Sequence, residues 1–459
     1  MVDQLLREEQ DSLGIIMVPA DAYYGAHTMR AVENFPISTF RLPAAFIANM
    51  AMIKKYAARA NESFGLIDAE IAETIAKAAD EVMAGWFADF FCVDVFQTGS
   101  GTSTNMNVNE VIASRANEIL TGKKRVAGIV HPNDHVNCCQ SSNDVFPSAV
   151  LITAYMMMKN RLVPGLTTLN TALEKKAASF SGVKKVGRTH LQDAVVMTLG
   201  DEFSGYARQV EMGIKRLQPV QERLLALPLG GTAVGTGLNA HLEFAGRVIG
   251  QIAQDTGIGF YEAENHFEAQ ACMDTAVEAS GALKTIAVSM TKIANDIRFL
   301  ASGPNCGLGE IEIPAVAPGS SIMPGKVNPV ICEAVIQAAA QVIGNDAAIT
   351  CGGTGGYFEI NLMQPMIAHN LFFSIDLLAN SATLLAGKCV DGIEANEKKC
   401  RQNVEKSLAV VTGLVPHIGY DRAAGIAKKA HQAGISIKEA AVSENVMPEE
   451  KLDLILYGK

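Results

Sequence analysis

The sequence predicts an all-α protein built around long packed helices. Three observations carry this. Between 268 and 301, Met273, Ala276, Ala279, Leu283, Ile286, Met290, Ile293, Ile297 and Leu300 recur every three or four residues, the helix period. Apolar residues make up 49% of the chain and charged residues 19%, which suits helices packed on more than one face. Strand-like alternation is scarce, Ile15 to Val18 being a short example.

The 268–301 helix would be about 50 Å long, with Gly281 its one weak point. The same spacing predicts helices over 44–63, 68–86, 105–121, 146–178, 196–226, 241–257, 328–349, 364–387 and 394–411. Shorter helices are expected at 419–432 and 436–443. Pro164 and Pro219 should kink or split two of them. The 459 residues allow about three domains of roughly 150 residues, or one large oligomeric bundle.

Composition excludes several classes. The net charge of −10 comes with no basic stripe of the kind that binds nucleic acid. The longest apolar run, 149–158, is interrupted by Thr153, and a membrane helix needs about twenty residues. Residues 1–10 are polar and acidic, unlike a secretory signal. The nine cysteines are scattered without a Cys-x-x-Cys pair, which suits a reduced, cytoplasmic protein without a disulfide framework or iron–sulfur cluster.

Chemistry concentrates in loops that precede helices. Thr98-Gly99-Ser100-Gly101-Thr102-Ser103-Thr104 sets hydroxyls and helix-start N–H groups together, which suits a carboxylate or phosphate, or merely a capped turn. It lacks the Gly-Lys-Ser/Thr ending of a P-loop. Gln140-Ser141-Ser142-Asn143-Asp144 reads as a helix cap at least. Upstream, His131 and His135 stand four apart before Cys138-Cys139. That spacing is metal-like, yet Pro132 puts a turn between the histidines and adjacent cysteines make awkward ligands. His190, in Gly187-Arg188-Thr189-His190-Leu191-Gln192-Asp193, is either a proton carrier or a hydrogen-bonded structural histidine. The 319–329 segment, Gly-Ser-Ser-Ile-Met-Pro-Gly-Lys-Val-Asn-Pro, places Lys326 and Asn328 where they could clamp carboxylates, with Glu333 on the following helix. A plain helix–helix turn is the alternative. The glycines of 229–239 suggest a dinucleotide loop only weakly, since no strand–helix–strand unit is predicted around them, and a close backbone crossing fits better.

Taken together, these segments resemble the fumarase/aspartase superfamily. GSSIMPGKVNP at 319–329 is similar to its signature loop. TGSGTSTNMNVNE at 98–110, HPND at 131–134, QSSNDVFPSA at 140–149, GRTHLQDA at 187–194 and GGTAVGTGLN at 230–239 resemble class II fumarate hydratases, in the same order. PADAYYGAHT at 19–28 and PHIGYDRAA at 416–424 extend the likeness nearly end to end. Aspartate ammonia-lyases typically carry GGAGTS, SPNxHVN and QSTND instead, so the first two loops favour the hydratase. Tyr23-Tyr24-Gly25, 31–36 and 392–398 lean toward the ammonia-lyase. Cys138-Cys139 departs from both patterns, in which a serine commonly precedes Gln140. A non-catalytic structural relative is a third, remote reading.

The resemblance implies three helical domains, here 1–139, 140–394 and 395–459, and a homotetramer whose active sites are each shared by three subunits. It implies reversible hydration of a small dicarboxylate, fumarate to (S)-malate, as in the tricarboxylic acid cycle, with no cofactor and no metal. Ser320 would be the base, with His190 and Glu333 acting on the departing water. Lys326, Asn328, Ser100, Thr102, Ser141, Ser142, Asn143 and Thr189 would bind substrate. His131, Asn133 and Asp134 would form a secondary anion site.

Overall fold

The computed structural model describes residues 5–123, 128–319 and 322–457. A hairpin of β1 (Leu6–Asp11) and β2 (Gly14–Pro19) leads into α1 (Ala26–Asn34), α2 (Ala44–Ser63), α3 (Ala69–Met83), α4 (Thr102–Thr121), α5 (Ser142–Met157) and α6 (Val163–Ser179). A second hairpin, β3 (Lys184–Thr189) and β4 (Gln192–Thr198), precedes α7 (Leu199–Arg223), α8 (Phe244–Thr256), α9 (His266–Ala271), α10 (Asp274–Leu300), α11 (Val330–Gly353) and α12 (Gln364–Lys388). The last described helices are α13 (Glu397–Lys406), α14 (Val415–Ile418), α15 (Tyr420–Ala433), α16 (Ile437–Ser443) and α17 (Glu449–Tyr457).

The expected periodicity is realised, with local exceptions that have causes. All nine stripe residues from Met273 to Leu300 are buried. The helix is broken near its start, because Cys272 is extended and separates α9 from α10. The predicted 146–178 helix is two helices joined by a π-helical turn, Met158–Leu162. Pro164 has no N–H for the carbonyl of Asn160, and the turn widens where that bond is missing. Pro219 lies within α7, which continues past it. The predicted start of that helix at 196 is wrong, since residues through Thr198 belong to β4. No described helix is long and apolar enough to cross a membrane.

The chain forms two compact units. The first comprises residues 1–163, 216–285 and 340–378; the second comprises 164–215, 286–339 and 379–459. In the first, Phe46 on α2 packs against Phe146 of α5 and Phe372 of α12, with ring centroids 4.9 and 5.7 Å away. Lys54, about two turns further along α2, is fully buried.

In the second unit, Val404, Leu414, Ile426, Ile437, Leu452 and Leu456 form an apolar cluster against Val186 of β3. Beside it lies a buried ion cluster. Arg188 grips Glu310 through two bonds, of 2.6 and 3.0 Å. Asn403 donates to the same carboxylate at 3.0 Å, and Lys185 lies 3.4 Å from it. Lys185, itself buried, also pairs with Glu202 at 2.7 Å. Burial alone would raise the Glu310 carboxyl pKa. The Arg188 hydrogen bonds, the Lys185 charge and the Asn403 amide outweigh burial and hold it below its ordinary value.

A carboxyl depressed on folding contributes stability that is present above its unfolded pKa, about 4.3, and is lost as pH falls through the lower folded value. Glu310→Gln should therefore lower stability at neutral pH by about 3–5 kcal/mol, the cost of leaving a buried cation short of its partner. Urea midpoints at pH 7 and below about pH 4 should show a large gap between variant and parent that narrows in acid.

Candidate active site

In the first unit, the 98–104 loop turns into α4 through Gly101, which has φ +75°. A Cβ there would sit 2.1 Å from the Phe146 ring, so both conformation and packing require glycine. Gly101 has no side chain with which to cap the helix. Beside this start, the hydroxyls of Ser100 and Thr102 lie 2.9 Å apart. Gln97 Oε1 holds the turn by accepting from the Thr104 N–H and hydroxyl, both at 2.9 Å.

The 140–144 segment caps α5 as expected and does more. Ser141 accepts from the Asn143 N–H, while Asp144 accepts from the Ser141 N–H at 2.9 Å, a closed capping box. The other Asp144 oxygen accepts from the Gly230 and Thr232 N–H groups at 2.9 and 3.1 Å. Ser142 accepts from Asn105 at 3.3 Å, and Asn143 donates to the Ala233 carbonyl at 2.7 Å. The glycine loop is thus laid on α5. A short strand–helix–strand unit does surround it, contrary to expectation: Ala226–Leu227 pairs in parallel with Tyr261–Glu262, with α8 between them. Its N–H groups serve the protein's own Asp144, so the dinucleotide reading fails for a physical reason.

Beneath these loops lies Lys54, which sequence reasoning missed. Its ammonium donates to Asn105 Oδ1 at 2.7 Å, Asn137 Oδ1 at 2.9 Å and Gln140 Oε1 at 3.0 Å. Burial pulls its pKa down to about 7, and the Asp144 charge opposes that fall. Burial pushes Asp144 up to about 6, against its three backbone N–H donors and Lys54. One signal was available: Lys54 falls on the stripe of Met50, Ile53, Ala57, Ala58 and Asn61, so helical spacing alone points it inward.

The 131–135 segment forms a π-helical turn, Pro132–Val136. His131 Nδ1 accepts from the Asp134 N–H at 3.1 Å, and His135 Nδ1 accepts from the His131 N–H at 2.9 Å. Both Nδ1 atoms are therefore spent inside the turn, which weakens the metal reading. Among the described residues, no group of three His, Cys, Asp or Glu side chains could hold a metal ion. His131 and Asn133 border a cleft of about 460 Å³ that Arg7, His27 and Glu110 also line. Glu110, also missed, caps α1 by accepting from the Gly25, His27 and Thr28 N–H groups.

In the second unit, His190 and Leu191 are the two turn residues of the β3–β4 hairpin, with φ values of +55° and +59°. Two left-handed turn residues are what a tight hairpin needs, and Asn-Gly usually supplies them. A bulky pair there costs of order 1–3 kcal/mol per residue, a strain that tends to mark functional sites. The Lys185, Arg188 and Glu310 cluster holds the root of this hairpin. The tip is exposed, as is Thr189.

In the 319–329 loop, the Lys326 N–H donates to the Met323 carbonyl at 3.2 Å. Pro324 and Gly325 (φ +82°) are the central residues of that turn. Lys326 is exposed, and Ile322 and Met323 stand out beside it. Asn328 is half-buried, and Glu333 lies in the first turn of α11. Ser320, together with Ser321, lies outside the described residues.

Lys54→Met should remove one cation and leave the Asn105 and Gln140 amide oxygens without their donor, while Asn137 Oδ1 keeps the Asn105 and Asn109 amides at 3.2 Å. Each orphaned group costs about 1–3 kcal/mol. The expected result is a clear fall in the urea midpoint and loss of turnover, with helix content by circular dichroism largely kept. An unchanged midpoint would remove Lys54 from its central position.

Profiles of known families match most of this chain: that of the Lyase family over residues 14–344, and that of the Fumarase C C-terminus over 410–457. The chain is 53% identical over 448 residues to the class II fumarate hydratase of Nitrosomonas europaea, covering 98% of this chain and 97% of that protein. It is 51% identical over 447 residues to that of Thermosynechococcus vestitus, covering 97% and 96%. The crystal structure of the class II fumarase from Schistosoma mansoni superposes with a TM-score of 0.95 at 40% identity, covering 98% of both chains. Fumarate lyase:delta crystallin from Brucella melitensis, in a structure bound to cobalt, superposes at 0.94 with 45% identity, also covering 98% of both. The hydratase reading that the first two loops favoured agrees with the names of these relatives. The chain belongs to the class II fumarate hydratases, hydro-lyases of the Lyase family.

Proposed function

We propose that the chain hydrates fumarate reversibly to (S)-malate by acid–base catalysis, with Ser320 and His190 on the reacting bonds. In the malate direction, Ser320 removes a proton from the carbon beside one carboxylate. The electron pair moves into that carboxylate, giving an aci-form dianion. Lys326 and Asn328 hold its charge, because a preorganised cation and amide act where charge develops. The hydroxyl on the neighbouring carbon leaves as water, receiving its proton through His190, which Glu333 polarises. Ser100, Thr102, Ser141, Ser142, Asn143 and Thr189 bind the remaining substrate oxygens. His131, Asn133 and Asp134 hold a second anion away from the chemistry. The reaction asks for no metal or organic cofactor, since the substrate's own carboxylate takes the electrons.

The observation that carries this assignment is the His190 turn. A histidine kept exposed in a left-handed conformation, on a hairpin rooted in a buried ion cluster, is held rigidly for a purpose other than packing. The Met323–Lys326 turn supports the rest, since it orders the backbone at Lys326, which follows Ser320 and precedes Glu333 in the sequence.

Assembly as a homotetramer with sites shared by three subunits is part of the same reading. Val288 and Phe299 on α10, Ile343 on α11 and Phe373 and Leu384 on α12 are exposed, which favours burial against other copies. The three-domain division at 1–139, 140–394 and 395–459 remains proposed with it. A cytoplasmic location fits nine free cysteines.

Ser320→Ala should lower the initial rate of malate formation by about 10²–10⁴-fold, while a dicarboxylate inhibitor still binds. Retention of more than about a tenth of turnover would exclude Ser320 as the base. Loss of inhibitor binding along with turnover would make it a binding residue instead. Mixing Ser320→Ala with His190→Asn subunits should restore part of the activity, whereas a fully active monomer by light scattering would refute shared sites. Exhaustive chelation should leave turnover intact.

A further inference from the structure

The sequence isolates one motif that hydration of fumarate does not use, the adjacent pair Cys138-Cys139. The two sulfurs lie 4.0 Å apart. Cys139 adopts a left-handed conformation, with φ +61°. The two thiols share one hydrogen bond, in which either sulfur can donate, and that bond together with the His241 backbone N–H favours the thiolate at Cys139. The proton stays on Cys138, which the neighbouring sulfur and burial push upward. Cys138 is half-buried and Cys139 is buried, so peroxide must reach the pair from the Cys138 side. A thiolate beside a protonated thiol is the arrangement that two-electron oxidation needs.

The pair is also tied to the candidate substrate loop. The Cys138 carbonyl accepts from Asn61 at 3.0 Å and from the Gln140 side chain at 3.1 Å. Gln140 in turn accepts from Lys54 at 3.0 Å. Ser141, the cap of α5, follows directly.

We propose that Cys138 and Cys139 form a vicinal dithiol that hydrogen peroxide converts reversibly to a disulfide, and that this closure disables the adjacent 140–144 loop. The Cys139 thiolate attacks one peroxide oxygen and expels hydroxide, which takes up a proton to become water, leaving a sulfenic acid on Cys139. The Cys138 thiol then attacks that sulfur. The S–S bond forms, and the sulfenic oxygen leaves as a second water with the thiol proton. Two thiols are oxidised by two electrons and one peroxide is reduced. The sulfurs must close from 4.0 Å to about 2.05 Å across neighbouring residues whose Cα atoms stand only about 3.8 Å apart, below the usual disulfide span. The backbone must therefore shift at Cys138, whose carbonyl Asn61 and Gln140 hold. The same strain makes the bond easy to reduce.

The loop's part in this rests on the substrate-binding reading above, but the disulfide is read independently of activity. The test treats the intact enzyme with limiting hydrogen peroxide, then alkylates it and maps its peptides. The 138–139 peptide should become lighter by two hydrogens and resist alkylation. Turnover should fall by about a hundredfold, the cost of a misplacement near 1 Å, and dithiothreitol should reverse both changes. Cys139→Ser should form malate normally and keep its turnover under the same peroxide. A peptide that keeps two alkylatable thiols while activity falls overturns the proposal. So does a 138–139 disulfide with turnover intact, or a Cys139→Ser variant that is inactivated at the parent rate. Failure of the hydration assignment would show separately, as no malate before any peroxide is added.

Discussion

The buried ammonium of Lys54 is the constraint on which the first unit's loops depend. Its three acceptors come from α4 and from two positions in the turn ahead of α5, and Asp144 links the same region to the glycine loop through two N–H groups. A buried cation must satisfy its hydrogens or cost several kcal/mol. Each amide oxygen it captures therefore becomes a fixed point. Residues 100–102 and 141–143 lie close to those fixed points in sequence, and this gives the hydroxyls of Ser100 and Ser142, which are buried, and of Thr102 and Ser141, which are half-buried, a rigid base.

Such an arrangement costs stability. A carboxyl raised to about 6 is stabilised by folding in its protonated form, so the folded state loses ground as pH rises from the unfolded value toward 6. A lysine lowered to about 7 is penalised while it is charged, so its contribution improves as pH rises through 7. Neither group gains from burial at neutral pH. A pair of apolar residues of similar volume would hold the helices together at least as well. What apolar residues cannot do is fix three amide groups in one orientation, so specificity of the loops is the gain.

The second unit uses the same device. Glu310 binds Arg188, Lys185 and Asn403, which fixes the root of β3. At the tip, His190 and Leu191 occupy a conformation that neither favours. The strain persists because the ladder from Lys184↔Thr198 to Thr189↔Gln192 sets both ends of the turn. A looser root would let the hairpin relax and release His190 from its position.

The helices were legible because burial at every third or fourth position leaves a periodic mark, as from Met273 to Leu300. The loops were legible as candidate sites because Gly, Ser and Thr collect ahead of helices either to cap them or to bind an anion, and the order of the motifs decided between the two. The β3–β4 hairpin was not. In Lys184-Lys185-Val186-Gly187-Arg188-Thr189 the buried members include a lysine and a glycine, so no apolar alternation could be seen. The turn at its tip carries His-Leu in place of Asn-Gly. Lys54, Asp144 and Glu310 were hidden by the general rule that charged residues lie outside. These omissions share a cause. Each residue spends its charge on orienting a loop, and composition and periodicity record only where side chains are buried, not what a buried charge holds in place. The parts of this protein that sequence pattern misses are therefore the parts that convert a helical scaffold into rigid loops.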